Sequence, residues 1–191
     1  RYCPQTSNLP DVYTSRIEDV DGVESVLPVQ VFLNNCRASV DLVTFQGAPV
    51  ERMLESRNLT VVDGDLGRFV AEDDAALVGI DFAERKGLRV GQSFPFGGID
   101  VKVAGIFTST ERPEESLILT HLDFLRYSMP MPKDGSVTQF EVKVEDPSRA
   151  REIAAEIDAL FATAEGPTDT RPQGAFMERA TKDLEIGRAH V

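Results

Sequence analysis

The sequence predicts an α+β fold in two intertwined parts. Three observations point there. Helix–strand pairs occupy both flanks, short extended runs joined by glycine turns fill the middle, and a stretch with two prolines, Met129 to Gly135, reads as the clearest linker. On this pattern residues 1–47 and 136–191 form one discontinuous subdomain, and residues 48–135 form an inserted, smaller, β-rich one. Neither flank has enough apolar surface to fold alone, so the two are expected to pack on each other.

The elements follow in order. Pro10 to Val20 reads as a short helix with Pro10 in its first turn, Val12, Tyr13, Ile17 and Val20 on one face, and Gly22 as the stop. Val26 to Leu33 alternates as a strand, Asn34-Asn35 suits a turn, and Arg37 to Phe45 continues as a second strand. Pro49 to Ser56 is a brief helix, Leu59 to Val62 a strand, Asp63-Gly64 a turn, and Leu66 to Val70 another short helix. Ala75 to Ile80 has the continuous apolar character of a buried strand. Asp81 is placed to cap the next helix, which Gly87 ends. Gly97-Gly98 joins Gln92–Phe96 to Ile99–Phe107 as a hairpin, with Ile99, Val101, Val103, Gly105 and Phe107 on one face. Thr108 to Glu115 reads as a loop, Ser116 to Leu119 as a strand and His121 to Tyr127 as a helix. Beyond the linker, Val137 to Val144 alternates with Phe140, Val142 and Val144 inward. Asp146-Pro147 caps a helix whose stripe is Ala150, Ile153, Ala154, Ile157, Leu160 and Phe161. Gly166-Pro167 breaks the chain before a last helix from about Gln173.

Composition excludes several classes. The 191 residues carry a net charge of −12 and no basic stripe, which argues against nucleic acid and against anionic lipid. No apolar run reaches about 18 residues, so no segment here spans a bilayer as a helix. The chain starts at Arg1 and reads as a piece of a larger precursor. The two cysteines, Cys3 and Cys36, read either as unrelated thiols or as one disulfide tying the N-terminal arm to the strand hairpin.

The order of these parts resembles the MacB-like periplasmic core domains found in bacterial ABC-transporter permeases. Four pieces carry the resemblance: Asp21-Gly22-Val23-Glu24-Ser25-Val26 with Pro28; Val61-Val62-Asp63-Gly64; Leu77-Val78-Gly79 with Ala83, Gly87-Leu88 and Val90-Gly91; and Val101 to Phe107. It runs from about Leu9 to Phe161. It implies a ferredoxin-like "porter" subdomain in the flanks and a β-rich "sabre" subdomain in the insert. It further implies a soluble extracytoplasmic domain between membrane helices 1 and 2 of a permease. The partners implied are a cytoplasmic ABC ATPase reached through those helices, a second permease copy, and a periplasmic adaptor or chaperone. The domain would relay ATP-driven helix motion outward and catalyse nothing. An extracytoplasmic location also favours the Cys3–Cys36 disulfide.

Residues with chemical potential do not assemble into a motif. His121 and His190 lack Cys, Asp or Glu at ligand spacing, so no metal site is expected. His121 reads as a solvated or hydrogen-bonded residue at a helix start. Glu72-Asp73-Asp74 and Glu111, Glu114, Glu115 fit no calcium loop and read as solvated loop acids. Asn58-Leu59-Thr60 is a glycosylation pattern of a kind common by chance. Cys36 beside Arg37 has no histidine partner for nucleophilic work, no nucleophile elbow is present, and no phosphate-cradling Gly-x-x-x-x-Gly-Lys-Ser/Thr loop occurs. Neither catalytic nor cofactor-binding residues are therefore assigned. The alternative function is a free-standing secreted or periplasmic ligand-binding module, with an enzyme as the third class. The permease reading expects neighbouring termini and no compact pocket of convergent polar groups.

Overall fold

Apolar residues on both faces of one long strand set the architecture. Strand β2 (Val23–Asn34) follows β1 (Leu9–Pro10) and α1 (Tyr13–Glu18), and Val26, Leu27 and Val29 along it are all buried. The computed structural model describes residues 8–34, 43–129 and 135–172. The remaining elements are β3 (Val43–Ala48), α2 (Val50–Ser56), β4 (Leu59–Gly64), α3 (Leu66–Ala71), β5 (Ala75–Gly79), α4 (Ile80–Lys86), β6 (Ser93–Phe96) and β7 (Ile99–Ser109). A 3-10 turn (Arg112–Ser116) leads into β8 (Ile118–His121), α5 (Leu122–Ser128), β9 (Ser136–Val137) and β10 (Gln139–Val144). A second 3-10 turn (Pro147–Arg149) opens α6 (Ala150–Phe161).

The strands form a sheet in the order β10-β2-β3-β8-β5-β7-β4, with β6 hairpinned onto β7. Strand β2 is divided between two neighbours. Its first part, Val23 to Val29, pairs antiparallel with β10, and its second part, Gln30 to Asn34, pairs antiparallel with β3. A separate two-stranded ladder joins β1 to β9. The fold is mixed α+β.

Three cores result. The first sits against β2 and β10: Tyr13, Ile17, Val20, Val26, Ile153, Ile157 and Phe161, with Phe140, Val142 and Val144 packed on it. Tyr13 stacks on Phe161 at 4.0 Å between ring centroids. The other two lie on opposite faces of the remaining sheet. One gathers Phe45, Val78, Phe82, Ile99, Val101, Val103 and Ile118; the other gathers Leu27, Val29, Met53, Phe69, Leu77, Phe107 and Leu119. Burying a side chain of this size contributes about 1.5–3 kcal/mol.

Local chemistry explains most boundaries. Gly97 and Gly98 take φ of +63° and +92°, which fits the tight turn between β6 and β7. Gly87 closes α4 in the left-handed region with φ of +65°. Asp146 accepts the Ser148 N–H at 2.9 Å, and Pro147 occupies the first position after it. Hydrogen bonding from the Ser148 side chain, joined by that from its N–H, holds the Asp146 carboxyl below its usual range.

Several expectations need correction. Pro10 lies opposite Ser136 in the β1–β9 ladder and not in a helix, a short edge position that tolerates its missing N–H. Helix α1 begins at Tyr13, and Val12 is left exposed. Asp63-Gly64 does not turn the chain; both residues stay in β4, past a register shift that skips Val62. Asp81 falls inside the first turn of α4, whose N-cap is Gly79. Strand β7 extends to Ser109, and a 3-10 turn takes up much of the expected loop. Phe107 faces away from Ile99, Val101 and Val103. Pairing with β5 skips Ala104 (Ala76 opposite Val103, Leu77 opposite Gly105), so the face inverts and Phe107 joins Leu77. Leu160, expected on the buried stripe of α6, is exposed. The segments 35–42, 130–134 and 173–191, which hold most of the second strand, the linker and the last helix, lie outside the described residues, as do both termini.

Candidate functional site at the seam between the cores

Three arginines tie α2 and α5 to the elements around the β2–β10 core. Arg57 follows α2 as its C-cap residue, in extended conformation. Only 4% of the Arg57 side chain is exposed. Its Nη2 donates to Gln46 Oε1 at 2.7 Å and to both carboxylate oxygens of Glu141 at 3.0 and 3.1 Å. Glu114 Oε1 lies 3.7 Å from Nε. One guanidinium thus connects α2, β3, the first 3-10 turn and β10.

Arg126 makes the second tie. Helix α5 buries it beside Leu125. Its Nε donates to the Ser136 carbonyl at 2.9 Å, its Nη2 to Asp11 Oδ2 at 3.0 Å, and its Nη1 to Asp123 at 3.3 Å. Ser136 belongs to β9, and Asp11 follows β1, so α5 is fastened to the small ladder. The third tie is surface-exposed: Arg52 of α2 pairs with Glu18 of α1 and donates to the Val26 carbonyl at 3.0 Å. A buried ion pair is costly to break from one side only, whereas an exposed pair contributes little. The first two ties therefore carry the coupling. No feature of the sequence pattern had marked these residues; an arginine inside the apolar run Leu122 to Tyr127 was the one available hint.

The residues weighed for chemistry are dispersed. His121 caps α5, and its Nε2–H donates to the Phe69 carbonyl at 2.6 Å, with the two rings edge to face. Its Nδ1 lies 3.9 Å from Asp73, an almost fully exposed carboxylate. His121 forms part of an open cleft of about 600 Å³ lined also by Val50, Asp123, Phe124, Tyr127 and Ser128. Two of its polar groups are already engaged, His121 by Phe69 and Asp123 by Arg126.

The acidic runs are likewise spent or solvated. Glu72 pairs with Arg68, which holds its carboxyl below the usual range, and Asp74 pairs with Lys102. Glu114 accepts the Ser109 hydroxyl, and Glu115 accepts the Ser109 N–H. Among the described residues no three His, Cys, Asp or Glu side chains converge on a metal position. Asn58 is exposed between α2 and β4. Cys3, Cys36, Arg37 and His190 lie outside the described residues. No described helix is long and apolar enough to cross a membrane.

Comparison with known proteins places this arrangement. The extracellular domain of the noncanonical ABC-type transporter YknZ from Gram-positive bacteria superposes with a TM-score of 0.63 at 19% identity, over 85% of this chain and 87% of that one. The periplasmic region of MacB from Actinobacillus actinomycetemcomitans superposes with a TM-score of 0.61 at 11% identity, over 93% of this chain and 84% of that one. No curated protein sequence matches. The model of the MacB-like periplasmic core domain matches residues 3–160, so the chain belongs to that family.

Proposed function

We propose that this domain is the extracytoplasmic part of an ABC-type transporter permease and relays motion of the membrane helices outward, with no catalysis of its own. Residues 1–47 and 136–191 act as the body joined to membrane helices 1 and 2, and residues 48–135 as the body that meets cargo or partners. A cytoplasmic ABC ATPase supplies the motion, a second permease copy completes the working unit, and a periplasmic adaptor or chaperone takes up the output. Cys3 and Cys36 form a disulfide in that oxidising space. Mass spectrometry without reductant then finds no free thiol; two free thiols contradict the bond.

One observation carries the reading: a single strand, β2, belongs to one ladder over Val23 to Val29 and to another over Gln30 to Asn34. The three cores meet along this one backbone, and the buried ties of Arg57 and Arg126 bridge residues 48–135 to the flanks. Such a device needs stiff bodies and a defined joint. The test uses the full-length permease with its ATPase, carrying a photo-crosslinking amino acid at position 18, where Glu18 meets Arg52. Crosslinking α1 to α2 stops the bodies from moving apart, and ATP hydrolysis coupled to the permease falls. Unchanged hydrolysis after complete crosslinking contradicts the relay.

A further inference from the structure

Arg57 is held asymmetrically. Its Nη2 serves three acceptor atoms, Gln46 Oε1 and the two oxygens of Glu141, while Nε and Nη1 are buried and meet no hydrogen-bond acceptor. A buried guanidinium with idle donors is an incompletely satisfied group. Glu114 Oε1 lies 3.7 Å from Nε, close enough for an ion pair and just beyond hydrogen-bonding reach.

The two carboxylates differ in how freely they can leave. Glu114 is the more buried, 20% exposed at its side chain, and its other oxygen accepts the Ser109 hydroxyl at 2.6 Å. It travels with β7 and the 3-10 turn. Glu141 is 39% exposed and sits on β10, whose one ladder among the described residues is with β2 and shifts register at Lys143/Val144. Withdrawing Glu141 into water costs little for the carboxylate. Withdrawing the one carboxylate hydrogen-bonded to a buried guanidinium, and leaving only the neutral Gln46 amide on Nη2, would cost a great deal unless a second carboxylate were waiting.

We propose that Arg57 is a two-position ionic latch: it holds Glu141 in the conformation seen, and closes onto Glu114 through its idle Nε–H when β10 moves away. The charge stays paired in both positions, so the joint between the cores can move without exposing an uncompensated cation. This deepens the relay reading and rests on it for its purpose, because only a moving joint needs a spare acceptor.

The signature of a latch is substitution of one acid for the other. The test uses this chain with Glu114→Gln, which keeps an acceptor for Ser109, with Glu141→Ala, and with both. Glu114→Gln alone removes a carboxylate charge 3.7 Å from Nε but no hydrogen bond to Arg57, and changes the unfolding equilibrium constant by less than about fivefold. In the Glu141→Ala background the same change costs more than about tenfold, since Glu114 is then the remaining carboxylate partner. Exchange of the Arg57 Nε–H, followed by NMR, slows in Glu141→Ala as the new bond forms. Equal factors in the two backgrounds, or exchange unaltered by Glu141→Ala, mean that water satisfies the idle donors and overturn the latch. Either result leaves the relay standing, because that reading is tested by ATP hydrolysis in the full complex.

Discussion

Replacing Arg126 with methionine isolates the coupling between the cores. Methionine fills a similar volume, so packing around Leu125 is largely kept while three donors disappear. The Nε bond to the Ser136 carbonyl (2.9 Å) and the Nη2 bond to Asp11 (3.0 Å) are lost, and so is the weaker contact to Asp123. The arginine side chain is 8% exposed and the Asp11 side chain 34%, so the carboxylate left behind is partly rehydrated. Removing one partner of a fully buried pair costs about 3–5 kcal/mol; with this rehydration the lower end, about 3 kcal/mol, is expected. For a domain of this size that lowers the melting temperature by about 6–12 °C. Thermal unfolding measures the total, and amide exchange locates it. Protection should fall first at β1 and β9 and persist in β5 and β7, whose ladders do not involve Arg126. A loss below about 1 kcal/mol, or unchanged protection at Ser136 and Val137, would mean that Arg126 does not fasten α5 to the β1–β9 ladder.

Further outcomes follow from single positions. Phe161→Ala removes a fully buried ring stacked on Tyr13 and should cost about 3–5 kcal/mol in denaturant unfolding; a cost near zero would mean the β2–β10 core does not depend on α6. Gly79→Ala would place a Cβ 2.2 Å from the Glu115 carbonyl oxygen, a backbone atom, and should destabilise by about 1–3 kcal/mol; a neutral result would contradict the close approach of β5 to the 3-10 turn. Asp146 is held below its ordinary value of 3.8 by the Ser148 hydrogen bonds, so the unfolded chain binds its proton first as pH falls. Its stabilising effect is present above about pH 4 and disappears as pH drops through the folded value. Asp146→Asn should therefore be less stable than the parent at neutral pH and match it in acid, as read from paired melting curves; a gap independent of pH would contradict the assignment.

Much of the fold was legible because local signals agreed with one another. The Gly97-Gly98 hairpin, the Gly87 stop, the Asp146-Pro147 cap and the stripe of α6 each have a short-range cause, and each falls where expected apart from Leu160. What escaped was set by tertiary pairing. Phe107 changes face because β7 skips Ala104 against β5, and no property of residues 99–107 announces that skip. Pro10 joins a strand because Ser136, far away in sequence, offers it an edge. The division of β2 between two ladders is invisible to alternation, since Val26 to Leu33 reads as one uninterrupted strand. The site was the least legible part. Arg57 and Arg126 matter through partners on distant elements, Glu141 and Asp11, and the only local sign was a charge beside buried leucine in α5. His121 reads from the sequence as a solvated or hydrogen-bonded residue at a helix start; the structure puts it at the start of α5 and bonds it to the Phe69 carbonyl.

If the domain relays motion as proposed, the two bodies sharing β2 change their relative position when ATP is used. Spin labels introduced as unnatural amino acids at Glu84 on α4 and Glu156 on α6, both exposed, leave Cys3 and Cys36 untouched. Pulsed electron resonance on the full-length permease with its ATPase then gives the distance between the bodies. A relay gives one distance distribution without nucleotide and a displaced one in the ATP-bound state. Superimposable distributions in both states, with labels that report normally, would contradict it.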